Sequence, residues 1–173
     1  MLKKIKNYYL LFIITTFFFI SGPNSASENS SIISLGNKNA KITVKVFSSL
    51  TCPHCAHFHT NVFKNLKSDF IDKGILKFEH HGFPLDLAAL NAEKILNCTN
   101  SLEKKLIFLN ELYEKQSNWA VGSDINSINS KLVKMAKNYG LNNDKVKGCL
   151  NSEKLEEEIL NNTIEAHKKY NIK

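Results

Sequence analysis

The chain has 173 residues, 43% of them apolar and 23% charged, which suits one globular domain or a domain with an insertion and excludes a disordered tail, a collagenous chain and a multi-span membrane protein. Only 7 Gly and 3 Pro are present, too few for a turn-rich all-β sandwich. The formal charge of +7 comes from 23 lysines with no arginine; arginine makes the bidentate contacts to phosphate and guanine, so this weighs against a nucleic-acid partner.

Residues 1–27 read as a secretory signal peptide. Lys3, Lys4 and Lys6 form a charged start, Tyr8 to Ile20 an apolar middle, and Ser21, Gly22, Ser25, Ala26 and Ser27 a small-residue end. The apolar run is shorter than the roughly 17–25 residues of a membrane span, so an uncleaved anchor is the lesser alternative. Cleavage is expected after Ser27, leaving 20 lysines against 16 acids, a charge of +4. In either case residues 28–173 are exported.

Residues 28–40 are small and polar and read as a linker into the domain. Ile42, Val44 and Val46 alternate within Lys41–Ser49, a strand pattern. Pro53 suits the first turn of a helix, where its missing N–H costs nothing. Phe58, Val62, Leu66 and Phe70 recur every four residues as a helical stripe, with Gly74 as the stop. Ile75, Leu76 and Phe78 make a second strand ending at Gly82-Phe83-Pro84, so residues 41–85 form a βαβ unit.

From Asp86 the pattern is helical through residue 165. Leu87, Leu90 and Ile95 mark a first helix, and Leu102, Leu106, Leu109 and Tyr113 continue at helical spacing. Ser123 or Asp124 caps the next, with Ile128, Leu132, Met135 and Tyr139 on one face and Gly140 at its end. A short helix from Asp144 to Leu150 and a long one through Leu155, Ile159, Ala166 and Tyr170 follow. Residues 166–173 are the end of that last helix.

Export changes the meaning of Cys52, Cys55, Cys98 and Cys149. An even count in an oxidising compartment suggests two disulfides. Cys98 and Cys149 either bridge a long loop or stay as two buried thiols, with export favouring the bridge. A bond between Cys52 and Cys55 closes too short a loop to staple the chain. Its chemistry is the better explanation. A Cys-x-x-Cys after a strand and at a helix start is a redox signature, because unpaired N–H groups and the helix dipole favour a thiolate. Cys52 is expected outside the first turn and exposed, and Cys55 a turn deeper and shielded. His54, when protonated, adds positive charge beside them.

A substrate thiolate would attack Cys52 of the Cys52–Cys55 disulfide, and a second substrate thiol would resolve the mixed disulfide. No cofactor is called for. The competing reading is a metal-binding protein using Cys52, Cys55 and the nearby His57 and His59, although structural zinc sites space their second ligand pair farther away. On that ground His57 and His59 are expected on the exposed face of the helix. Haem attachment is rejected, because Ala56 and not histidine follows Cys55. His80 and His81 receive no role, and Phe108 and Trp119 read as core.

The segment Phe47-Ser48-Ser49-Leu50-Thr51-Cys52-Pro53-His54-Cys55 resembles the active-site segment of DsbA-like periplasmic thiol:disulfide oxidoreductases. Gly82-Phe83-Pro84-Leu85-Asp86, Tyr113-x-x-Gln116-x-x-Trp119, Ala136-x-x-x-Gly140-Leu141 and Cys149-Leu150 are similar to further segments of that family. The resemblance covers about residues 35–173. It implies an α/β, thioredoxin-like fold, a βαβ unit with an inserted helical domain over 86–165. It implies a periplasmic donor of disulfides to reduced or unfolded exported proteins, with Cys52, Pro53, His54 and Cys55 as its catalytic residues, recharged by a quinone-linked membrane reoxidase. Family members continue into a cis-proline segment, two strands and a helix, whereas this sequence stops at Tyr170-Asn171-Ile172-Lys173. On that basis the C-terminal strands and helix of the fold are expected to be missing, and an inactive truncated fragment is a second alternative.

Overall fold

The computed structural model describes residues 31–172. The expected signal peptide and its cleavage site lie outside the described residues. Three strands form one sheet in the order β1-β3-β2: β1 (Ile32–Gly36), β2 (Ile42–Ser48) and β3 (Leu76–Gly82). β2 and β3 run parallel with Ile42 opposite Leu76, and β1 runs antiparallel to β3 with Ile32 opposite His81. The strand β1 lies inside the stretch 28–40 read as a linker, and that reading is corrected. Ile33 is fully buried, and the strand forms because β3 offers it a complete ladder of partners.

The crossover from β2 to β3 is one helical run of alternating character. It comprises α1 (Pro53–His57), a π-helical turn (Phe58–Val62), α2 (Phe63–Leu66) and a second π-helical turn (Lys67–Ile71). Each π turn rotates the side chains that follow relative to an unbroken α-helix. The buried positions are therefore His59, Phe63 and Ile71, while Val62 and Phe70 are exposed. The expected four-residue stripe is corrected accordingly: only Phe58 and Leu66 of it touch the core, and both are half-buried.

The helical region contains α3 (Leu87–Asn97), α4 (Leu102–Glu114), α5 (Gln116–Trp119), α6 (Ile125–Ala136), α7 (Asn143–Leu150) and α8 (Glu153–Tyr170). All of them but α5 start with a side-chain cap. Asp86, Ser101, Asp124, Asn142 and Ser152 each accept a backbone N–H of the first turn, satisfying donors the helix cannot. Gly140, at φ 84°, closes the turn after α6.

Two apolar cores result. Phe63, Ile71, Leu76 and Phe78 fill the space between the first helix and the sheet. A larger core joins Ile33 and Leu50 to α3, α4 and α6 through Ile95, Leu112, Trp119 and Leu132. Phe108 and Trp119 lie in it as expected. Cys98 and Cys149 form a disulfide linking the end of α3 to α7. The other face of the sheet is polar, with Glu79 holding Lys45, Lys77 and His81. The end of α8 covers part of it, with Tyr170 on Phe47 and His167 on Phe83.

Candidate active site

The parallel register ends β2 at Ser48 beside Gly82 of β3, and the chain turns through Ser49, Leu50 and Thr51 into the first helix. Polar contacts fix this turn from three directions. The Cys52 N–H donates to the Ser49 carbonyl at 3.2 Å. The Thr51 hydroxyl donates to Asp86 Oδ2 at 2.7 Å, while Asp86 Oδ1 caps α3. The buried Gln116 side chain donates to the carbonyls of Leu50 at 2.8 Å and Cys52 at 3.0 Å. The end of β2, the start of α3 and α5 thus converge on one loop. The motif with Gln116 carried the family resemblance, but its physical task, holding two loop carbonyls, is visible only in three dimensions.

Cys52 is the N-cap of the first helix, with φ −78° and ψ 120°, and Pro53 occupies the first helical position. Cys52 and Cys55 are both free and both half-buried, so Cys52 is less open than expected. Pro53 and His54 are exposed.

The two thiols are unequal. Burial pulls the Cys52 thiol upward, but the Cys55 N–H, the Cys55 thiol and the His54 N–H outweigh it and bring Cys52 below its ordinary value. Burial pushes the Cys55 thiol up. The Ser49 N–H opposes this, the neighbouring Cys52 sulfur adds to it, and the Ser48 hydroxyl opposes it again, with a net upward result. The Cys52 sulfur therefore ionises more readily than an ordinary thiol, and the Cys55 sulfur less readily. That is the arrangement in which the accessible sulfur attacks or leaves and the inner one waits.

The histidines part company. His57 is exposed as expected, with Asn61 at 3.1 Å from its Nδ1. His59 is buried, which corrects the expectation that it is exposed, because the π turn rolls it inward onto the Tyr113 ring at a centroid distance of 4.2 Å. It therefore does not face the cysteines as a ligand set would require. No group of three or more His, Cys, Asp or Glu among the described residues could hold a metal ion.

A family model described as thioredoxin matches residues 28–173. The chain belongs to the thioredoxin family. Within that family its structure superposes on the crystal structure of Wolbachia pipientis alpha-DsbA1 with a TM-score of 0.76 at 29% identity, covering 82% of this chain and 70% of that one. The fold is thus thioredoxin-like with a helical insertion. A Rickettsia bellii protein provisionally named a protein-disulfide oxidoreductase is 30% identical over 129 residues, 75% of this chain and 49% of the relative. Disulfide bond formation protein D of Bacillus subtilis is 36% identical over 87 residues, 47% of this chain and 38% of that protein. The chain spans about half the length of the Rickettsia relative it matches.

Proposed function

We propose that this thioredoxin-family chain is an exported thiol:disulfide oxidoreductase that donates the Cys52–Cys55 disulfide to reduced exported proteins. The observation that carries the reading is the inequality of the two thiols. Cys52 is the N-cap of the first helix, where two backbone N–H groups of the first turn favour negative charge on its sulfur, while burial raises the Cys55 thiol. A stabilised Cys52 thiolate favours the reduced pair, and so makes the disulfide an oxidant. The names of the relatives, which concern protein-disulfide oxidoreduction and disulfide bond formation, support the same assignment.

In the forward direction a substrate thiolate attacks Cys52 Sγ. A substrate–Cys52 bond forms, the Cys52–Cys55 bond breaks, and Cys55 leaves with the electron pair and takes a proton. A second substrate thiolate then attacks the substrate sulfur and releases Cys52 as a thiolate. The substrate leaves oxidised by two electrons and the chain leaves as the dithiol. Pro53 and His54 act as the spacer that places the amides of His54 and Cys55 on the Cys52 sulfur. Reoxidation by a quinone-linked membrane protein completes the cycle. Export to the periplasm rests on residues 1–27. No helix among the described residues is long and apolar enough to cross a membrane.

The test is capture of the intermediate. Cys55→Ser, loaded with a mixed disulfide and mixed with a reduced unfolded protein, should accumulate a covalent adduct on Cys52 that reductant dissolves. Cys52→Ser should form none. An adduct that forms equally in both variants contradicts the assignment.

A further inference from the structure

The last helix, α8, has two unlike sides. Ile159 and Ala166 face inward at 1% exposure each, and Asn162 reaches the Ser31 hydroxyl just before β1. The opposite side carries Leu160 and Ile164, one turn apart and 39% and 48% exposed. They share a surface depression with Glu153, Glu156, Glu157 and Asn161. With about 3.6 residues per turn, Glu153, Glu157, Leu160, Ile164 and Lys168 fall on one stripe. Its charge is graded, from acidic side chains in the first turn to His167, Lys168 and Lys169 in the last. Glu156 is held by Lys94 at 2.8 Å, and His167 lies against the Phe83 ring. Glu157 and Lys168 are exposed and enter no ion pair among the described residues.

Such a stripe is complementary to itself when reversed. When a second α8 is turned end over end about a two-fold axis at the level of residue 162, Leu160 meets the second copy's Ile164 and Ile164 meets its Leu160. In the same register Glu157 meets the second copy's Lys168, and Lys168 its Glu157. Both charges lie on the same flank of the apolar pair, as a two-fold axis requires. A parallel arrangement would set Glu157 against Glu157 and Lys168 against Lys168, so charge selects the antiparallel one.

We propose that α8 is a self-association surface, through which two copies of this chain pair as an antiparallel dimer centred on Leu160 and Ile164 and oriented by Glu157 and Lys168. The inference does not depend on the proposed oxidoreductase activity. A single helix pair, about 24 Å long over these residues, covers less than the roughly 800 Å² per partner of a standard interface. The dimer is therefore weak and reversible, with a dissociation constant on the order of 100 μM.

The experiment is sedimentation velocity of the purified chain over a concentration series that brackets this value. Cys52 and Cys55 are alkylated first, so that no intermolecular disulfide contributes. The parent should pass from monomer to dimer. Ile164→Ser removes half of the apolar centre and should leave monomer throughout. Glu157→Lys and Lys168→Glu each make both charge pairs repulsive, and each should raise the dissociation constant about tenfold. Both positions are exposed, and an unchanged melting temperature verifies that the variants stay folded. Mixed in equal amounts, these two variants should dimerise as the parent does, because one then presents two lysines to the two acids of the other. A parent that stays monomeric across the series overturns the proposal. So do single variants that dimerise like the parent, or a mixture that associates no better than either variant alone. Association is read without any exchange chemistry, so failure here leaves the assignment of Cys52 and Cys55 standing, and failure of adduct capture leaves this result standing.

Discussion

His59 sits under the first helix against Tyr113, and burial, reinforced by the nearby His80, pulls its pKa from 6.5 to about 3. The folded chain therefore resists a proton that the unfolded chain accepts. The stability from this site is complete above pH 6.5 and is lost as pH falls from 6.5 toward 3. Glu79 adds a second, lower window. Burial pulls it upward, but Lys77, His81 and Lys45 overcome that and bring it from 4.5 to about 2. Its contribution is present above pH 4.5 and is lost on going toward 2. His59→Phe preserves an aromatic ring on Tyr113 and removes the titration. Its melting temperature should fall less between pH 6.5 and 4.5 than that of the parent, and an equal fall would show that another group governs acid stability there. Gly82→Ala should destabilise by about 1–3 kcal/mol, because the new methyl must displace the buried Glu93 carboxyl group. A denaturant midpoint measures it. The sequence pointed to His59 only as a candidate metal ligand or an exposed helix residue, and to Gly82 only as the end of a strand.

At the level of elements, β2, β3 and the capped helices were legible because each is announced locally. Val44 and Val46 alternate into the core, the helical pattern begins at Asp86 as read, and Asp124 is one of the two caps expected for α6. The π turns were not legible, since a stripe at every fourth residue fits an α-helix as well as it fits the sequence. β1 was hidden for a different reason. Its formation depends on β3, more than forty residues away, and the polar residues around it mask the buried Ile33. The Cys98–Cys149 bridge was half-legible, since the sequence offered two cysteines at long range and left their pairing open. It closes a separation of 51 residues. Replacing both cysteines by alanine should lower stability by about 2–5 kcal/mol, read as a lower denaturant midpoint. A midpoint unchanged from the parent would mean that packing of α3 against α7 holds that region alone.

Over the whole molecule the inserted helices do more than enlarge the core. They supply Gln116 to the loop before Cys52 and Asp86 to Thr51, and Tyr113 belongs to the core against which Cys55 packs. The cysteine motif and its strand–helix setting were plain in the sequence. The groups that support it from α3, α4 and α5 become neighbours only when the helical region folds back on the βαβ unit. On the proposed function, this assembly makes Cys52 and Cys55 a reversible and oxidising pair. Its most direct test is the redox equilibrium of the chain against glutathione, read by mass after thiol trapping, beside Cys52→Ser. The expected result is a single reversible two-electron transition, more oxidising than glutathione and absent in the variant. A pair no more oxidising than an unfolded dithiol would contradict it.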